Sequence, residues 1–331
     1  MNERGASPIP TFERPGQSPV LGAFILVFLT GGLYLAIGGL VGELVGAFLF
    51  LVGKGLESPS LLDEDFPSLL REFYRAVKVP SLVLTLVVEW GVFVGLASLL
   101  VRRWHTPHVW EYALRGKADL GVTVGAFLWG PILVPLSSFL SSWNILLFPG
   151  LEELFEVSRE LYRAGSPLEW VLVTVSVGLT PAFCEEFLFR GFFQQTLQRR
   201  MPLWAAVLIS SGVFSLFHRS FLGVVSLFAV GLALGLVYAA TGSILSSGVL
   251  HFSYNMTIVL LENGLLPLGG PTSGGNPSFE FPAVFLSGVC SVGMGTWLWR
   301  RARRRSATKD PQPPEGGVTI GEGRRSSFDQ D

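Results

Sequence analysis

Long runs of apolar residues alternate with short polar stretches along most of the chain. A transmembrane helix needs roughly 20 apolar residues to cross the hydrocarbon core of a bilayer, and most of the runs reach or approach that length. We distinguish eight runs, at residues 20–52, 79–101, 120–148, 170–197, 203–218, 221–240, 243–261 and 281–299. The pattern predicts an all-α protein, a polytopic transmembrane helix bundle of about eight spans.

Composition supports a membrane protein. Only 15% of the 331 residues are charged, whereas a soluble domain carries about 25%. The mean hydropathy is +0.49. The two cysteines, Cys184 and Cys290, both lie in apolar runs, so a disulfide framework is not indicated. We expect the lipid bilayer as a partner and no nucleic acid.

The polar stretches divide the chain into five parts. The first is a polar, proline-containing N-terminal segment, and the last is a basic tail rich in proline and glycine that we expect to be disordered. Between them lie the first transmembrane helices, a core segment, and a loop with the last span. In order, the boundaries are 1–19, 20–164, 165–262, 263–299 and 300–331. Short surface helices are expected within 54–78 and 149–167.

Lysine and arginine placement predicts the orientation. Eight spans would leave both termini on one side of the membrane. That side would carry more than twice as many Lys and Arg residues as the other. Cytoplasmic loops are enriched in these residues, so we expect a multi-pass protein of the cell membrane with both termini in the cytoplasm.

Three ionisable residues interrupt the apolar run 170–197. They are Glu185, Glu186 and Arg190. A charged side chain in mid-membrane costs about 2.5–3.5 kcal/mol on insertion scales. Helical spacing places Glu186 and Arg190 on one face, where they can pair. Glu185 points about 100° away and has no partner nearby in the sequence, so a structural clamp does not account for it.

Polar residues of two later runs are candidate partners for Glu185. Counted from the turn between the runs, His218 reaches the same depth as Glu185 in an antiparallel hairpin. His251 and Asn255 are four residues apart in another run and share a helix face, at a somewhat different depth. The spacing predicts one polar cluster inside the bilayer, with a carboxylate, two imidazoles and an amide.

Such a cluster can hydrolyse an acyl bond, most naturally a peptide bond. Glu185 with His218 can hold and deprotonate water. His251 and Asn255 can donate hydrogen bonds to a developing oxyanion. In a second version Glu185, His218 and His251 are the three protein ligands of a catalytic Zn²⁺, and water takes the fourth position. The metal-free version and the zinc version are equally open, and the soluble zinc-protease signature His-Glu-x-x-His is absent.

Three short motifs carry a family resemblance. They are "EEFLFR" at 185–190, "FSLFH" at 214–218 and "HFSYN" at 251–255. In order and spacing they resemble the CAAX-protease and bacteriocin-processing family of intramembrane proteases, which includes the type II CAAX prenyl endopeptidases and Abi-type bacterial proteins. The resemblance covers about residues 165–260.

The resemblance implies an intramembrane endopeptidase, with or without a metal. Its substrate would be a membrane-associated peptide, a prenylated CAAX-type protein or a leader peptide. Glu185 and His218 resemble the pair that activates water, and His251 and Asn255 resemble the pair that stabilises the oxyanion. Three further residues look like supporting residues: Glu186, Arg190 and Phe214.

Two other classes of function are compatible with the pattern. Buried Glu and His residues also serve as proton relays in proton-coupled transporters, although no inverted repeat is evident. A non-catalytic membrane scaffold, similar to bacteriocin immunity proteins, is the other alternative. Two more acids in apolar runs, Glu43 and Glu89, fit none of the motifs, and we expect them to be structural.

Overall fold

The computed structural model describes residues 18–54, 65–147, 159–218, 223–266 and 279–309. Within these ranges the chain forms helices joined by short connections, without a strand. The nine helices of the described ranges are α1 Pro19–Lys54, α2 Ser68–Trp104, α3 Val109–Ala113, α4 Leu120–Leu147, α5 Pro167–Gln198, α6 Leu203–Leu216, α7 Val224–Thr241, α8 Ile244–Glu262 and α9 Phe281–Lys309. The all-α membrane bundle is confirmed.

Seven of these helices are long and apolar enough to span a membrane, namely α1, α2, α4, α5, α7, α8 and α9. The predicted span 203–218 corresponds to α6, which has 14 residues. Its length of about 21 Å is short of the bilayer core. The helix ends at Leu216, just before His218, so it reaches only the depth of the predicted cluster.

Two predictions about polar segments need correction. Residues 55–64 of the predicted surface helix lie outside the described residues, and from Ser68 onward the segment is the start of α2, which continues through Pro80, so this part is not a separate helix. The first ten residues of the predicted disordered tail are helical, because α9 extends to Lys309. Arginine is a good helix former, and cations at a helix C-terminus interact favourably with the helix dipole.

Other predictions on polar segments fall outside the described residues. They concern residues 1–17, 310–331 and most of the predicted surface helix within 149–167. Of that helix region, a short 3₁₀ turn at Arg159–Leu161 is described.

Contacts between helix ends place both ends of the described chain at one end of the bundle. Gly22 of α1 lies against the ring of His105, which follows α2. His105 also contacts Phe192 near the end of α5, with ring centroids 5.2 Å apart. A hydrogen bond joins the ends of α5 and α7, and Arg305 of α9 donates to Ala239 O of α7. We call this the basic end of the bundle, where α2, α5, α7 and α9 finish.

Helix α5 lies at the centre of the bundle and is irregular. Its segments Thr174–Leu179 and Phe187–Gln194 are wound as π-helix, and so is Glu89–Leu96 of α2. Such segments are frequent at functional sites. Helix α8 approaches α5 closely at Gly248, where a Cβ atom would lie 2.7 Å from Ala182 O. This close approach brings the next turn of α8 towards the centre of α5.

Candidate active site

The predicted pair between Glu186 and Arg190 is present. Arg190 Nη1 donates to Glu186 Oε1 at 2.8 Å, and both side chains are fully buried. Arg190 Nη2 donates to Gly231 O at 3.2 Å, and the guanidinium lies 4.3 Å from the centroid of the Phe214 ring. The pair neutralises two charges inside the bundle and connects α5 with α6 and α7.

Glu185 lies on a different face of α5 and faces two imidazoles. Its Oε2 atom is buried and has no hydrogen-bond partner among the described residues. His218 Nε2 lies 3.7 Å from this atom and His251 Nε2 lies 3.8 Å from it. Both distances exceed a direct hydrogen bond. The structure therefore brings together three of the predicted site residues, and it leaves a gap between them.

Hydrogen bonds fix how the two imidazoles present their nitrogens. His218 Nδ1 lies 2.9 Å from Phe214 O, and a carbonyl oxygen only accepts, so Nδ1 carries the hydrogen. His251 Nδ1 lies 3.2 Å from Glu186 Oε1, which is an acceptor in its pair with Arg190. In each neutral imidazole Nε2 is then an acceptor. Three acceptor atoms converge, so they can be bridged by a hydrogen-bond donor such as water, or by a cation.

Asn255 lies one turn beyond His251 on α8. Its Nδ2 donates to Val177 O at 2.8 Å, within the first π-helical segment of α5. An amide NH₂ has two hydrogens, so the second remains for another acceptor. Asn255 is therefore held by α5, and among the described residues no hydrogen bond joins it to Glu185, His218 or His251.

Phe214 organises the cluster without a polar group of its own. The ring is fully buried. Its centroid lies 4.4 Å from the His218 ring and 6.0 Å from the His251 ring. Together with the Arg190 guanidinium, these contacts surround the Phe214 ring and limit how the imidazoles can tilt.

Glu89 of α2 also lies against this site, although no motif contains it. Its side chain is 2% exposed, and its Oε2 has no hydrogen-bond partner among the described residues. The neighbouring Trp90 stacks on Phe183 of α5, with centroids 5.3 Å apart. Trp90 Nε1 also donates to Thr180 Oγ1 of α5. The signal in the sequence is an unpaired acid within an apolar run.

The types of atom that converge at this site are ones that bind zinc in proteins. A carboxylate oxygen and two Nε2 atoms converge, and each Nδ1 is held by an oxygen acceptor, as is usual for histidines that bind a metal. Three protein ligands with one open position are typical of catalytic zinc. The spacing does not fit as it stands, because no group of three or more His, Cys, Asp or Glu in the described ranges has a metal-binding arrangement. The three side chains would have to move to hold a metal.

Comparison with known families agrees with the motifs. Residues 167–257 match the family described as Type II CAAX prenyl endopeptidase Rce1-like. Neither a curated protein nor a solved structure matches the chain. The match confirms the resemblance to the CAAX-protease and bacteriocin-processing family in this part of the chain. It includes the residues of all three motifs, among them Glu185, Glu186, Arg190, Phe214, His218, His251 and Asn255.

Proposed function

We propose that the protein is an intramembrane endopeptidase that hydrolyses a peptide bond of a membrane-associated substrate. The observation that carries the proposal is the convergence of Glu185 Oε2 with the Nε2 atoms of His218 and His251 inside the bundle. The family match supports the reaction type and favours a prenylated CAAX-type substrate. A leader peptide is the other substrate of this class.

In this mechanism Glu185 and His218 hold the attacking water. Both Glu185 Oε2 and His218 Nε2 accept, so one water can donate a hydrogen to each and direct its lone pair at the scissile carbonyl carbon. Glu185 takes the proton as the C–O bond forms. It then transfers the proton to the leaving amine when the C–N bond breaks. His218 keeps the water oriented, because Phe214 O fixes its tautomer.

The oxyanion is stabilised by His251 and Asn255. Asn255 offers the second hydrogen of its amide. His251 Nδ1 already donates to Glu186, so His251 can donate from Nε2 only as an imidazolium. A positively charged donor is a strong stabiliser of a developing oxyanion in a site that excludes water.

The proposal includes a zinc version of the same site. Glu185, His218 and His251 would hold Zn²⁺, which supplies Lewis acidity and a more acidic bound water. If zinc is the cofactor, purified protein contains metal, a chelator stops cleavage, and His218→Ala and His251→Ala lower the metal content together while Asn255→Ala does not. In the metal-free version a chelator leaves cleavage unchanged. Elemental analysis beside a cleavage assay separates the two.

The function is tested with purified protein in liposomes. Three membrane-anchored peptides are compared. They are a prenylated CAAX-type peptide, the same peptide without the prenyl group, and a leader peptide. Mass spectrometry identifies the cleaved bond. We expect cleavage of the prenylated peptide. Solute or proton flux without cleavage of any peptide would instead support a transporter.

Replacement of Asn255 by alanine is expected to lower kcat by about 10²–10³-fold with little change in KM. The reason is that an oxyanion donor acts in the transition state and hardly at all in the ground state. Steady-state kinetics on the cleaved peptide measures both constants.

Asn263→Ala is the matched control for this variant. Asn263 Nδ2 also donates to backbone carbonyls, of Tyr162 and Val259, but the residue lies at the far end of α8 from the cluster. Asn263 Oδ1 also accepts from Ala164 N, so Asn263→Ala should lose at least as much stability as Asn255→Ala and keep its kcat. A change confined to KM in Asn255→Ala would show that Asn255 binds substrate and does not stabilise the oxyanion.

A further inference from the structure

A second polar cluster lies at the basic end of the bundle, away from the active site. Tyr238 OH of α7 donates to Gln195 Oε1 of α5 at 2.7 Å. Gln195 Nε2 donates to Tyr112 O of α3 at 3.0 Å. Both tyrosines are buried. We call these three residues the tyrosine cluster, and it joins three helices where they finish.

Three arginines from three elements surround the tyrosine cluster. Arg199, after α5, places Cζ 4.8 Å from the centroid of the Tyr112 ring. Arg115, in the loop after α3, places Cζ 5.5 Å from the same centroid. Arg305 of α9 lies on the backbone of Gly242, where a Cβ atom would overlap its guanidinium. Arg305 Nη1 also donates to Ala239 O, next to Tyr238 on α7.

The loop that carries Arg115 packs on the same turn as Arg305. A Cβ atom at Gly116 would lie 1.8 Å from Gly242 O, so only glycine permits this contact. Gly242 itself has φ 71°, a left-handed conformation that ends α7. The turn after α7 therefore holds the loop on one side and α9 on the other, and it brings Arg115 and Arg305 to one surface.

Positive charge dominates this surface among the described residues. Burial and the charge of Arg199 lower the pKa of Arg115 below its ordinary value. Two acids, Glu111 and Asp119, lie in the described segments beside these arginines, and Asp119 is paired with Arg301. An anion that contacts Arg115 and Arg199 together would relieve their mutual repulsion.

We propose that Arg115, Arg199 and Arg305 form a binding site for the phosphate of an anionic phospholipid. Arg199 and Arg305 lie at the ends of membrane-spanning helices and Arg115 lies in the loop between two of them. Lipid headgroups are found at this level, and basic pockets between such helix ends bind anionic headgroups. Guanidinium groups bind phosphate through paired hydrogen bonds. The Tyr112 ring supplies the amphipathic wall typical of the interface.

The site is independent of the proposed peptidase chemistry. Arg199 lies 14 residues beyond Glu185, which is about 21 Å along a helix. A bound headgroup would fix the ends of α5, α7 and α9 relative to one another. The site is therefore expected to affect stability in anionic membranes, and a test of it requires no substrate.

The experiment titrates phosphatidylglycerol into detergent-purified full-length protein and records the thermal unfolding midpoint, with phosphatidylcholine as the neutral lipid. Wild type is expected to show a saturable rise with phosphatidylglycerol alone. Each of Arg115→Gln, Arg199→Gln and Arg305→Gln should weaken the apparent affinity about fivefold, and the triple variant roughly a hundredfold. If the triple variant does not fold, Arg199→Gln alone decides, because its side chain is exposed.

A triple variant of equal charge is the control: Arg102→Gln, Arg103→Gln and Arg303→Gln. These arginines are exposed at the same end of the bundle. This control variant should show the same rise in the thermal unfolding midpoint with phosphatidylglycerol as the wild type. An equal loss in both triple variants would overturn the site in favour of diffuse charge. An equal, saturable effect of inorganic phosphate would overturn the lipid assignment, and so would a wild type that does not respond to phosphatidylglycerol.

Discussion

Glu185→Gln is expected to abolish peptide cleavage and to leave the fold intact. Loss of a general base costs about 10²–10⁴-fold in rate, and here the same carboxylate also holds the water. Glutamine has nearly the same volume, and Glu185 Oε2 has no hydrogen bond to lose among the described residues. The rate of cleavage in liposomes and the thermal unfolding midpoint are the two measurements.

Glu43→Gln is the matched control for that variant. Glu43 is also a glutamate of a membrane-spanning helix, and it lies on α1 outside the three motifs. Glu43→Gln removes one carboxylate, as Glu185→Gln does, and this variant should cleave the peptide at the wild-type rate. Retention of peptidase activity in Glu185→Gln would remove Glu185 from the catalytic role, and it would leave the binding of anionic lipid untouched.

The sequence predicts the cluster because helical geometry is regular over long apolar runs. The 3.6-residue repeat predicts that Glu186 pairs with Arg190 and that Glu185 lies on another face. The pair is observed although the turn between the two residues is π-helical. Equal distances from one turn place His218 at the depth of Glu185, and their side chains lie 3.7 Å apart. Local spacing and a short hairpin are enough for these relations.

Other features depend on contacts that no local pattern encodes. The π-helical segments arise where α5 packs on its neighbours, and apolar periodicity does not reveal one extra residue per turn. Asn255 donates to the backbone carbonyl of Val177, 78 residues earlier. Every residue has such a carbonyl, so the sequence does not show which residue accepts this hydrogen bond. Glu89 lies near the site only because α2 packs on α5, where Trp90 stacks on Phe183.

Breaking the buried pair is expected to produce the largest loss of stability. Glu186→Gln and Arg190→Leu should each lower the free energy of unfolding by about 3–5 kcal/mol, because each leaves the other charge buried without its partner. Arg190→Leu also removes the bond to Gly231 O. The double variant leaves no unpaired charge, so its loss should be clearly smaller than the sum of the two. Thermal and denaturant unfolding in detergent measure all three variants.

The exposed ion pair of Asp119 and Arg301 is the control for this double-mutant cycle. Its side chains are 40% and 42% exposed, and such pairs contribute about 0–1 kcal/mol. Asp119→Asn and Arg301→Gln should therefore be nearly additive. Additive losses for Glu186 and Arg190 as well would mean that the two residues stabilise the bundle separately. Strong coupling at the buried pair would instead mean that Glu186 and Arg190 act as one neutral unit. The Glu186 carboxylate of that unit accepts from His251 Nδ1, and this hydrogen bond turns His251 Nε2 towards Glu185.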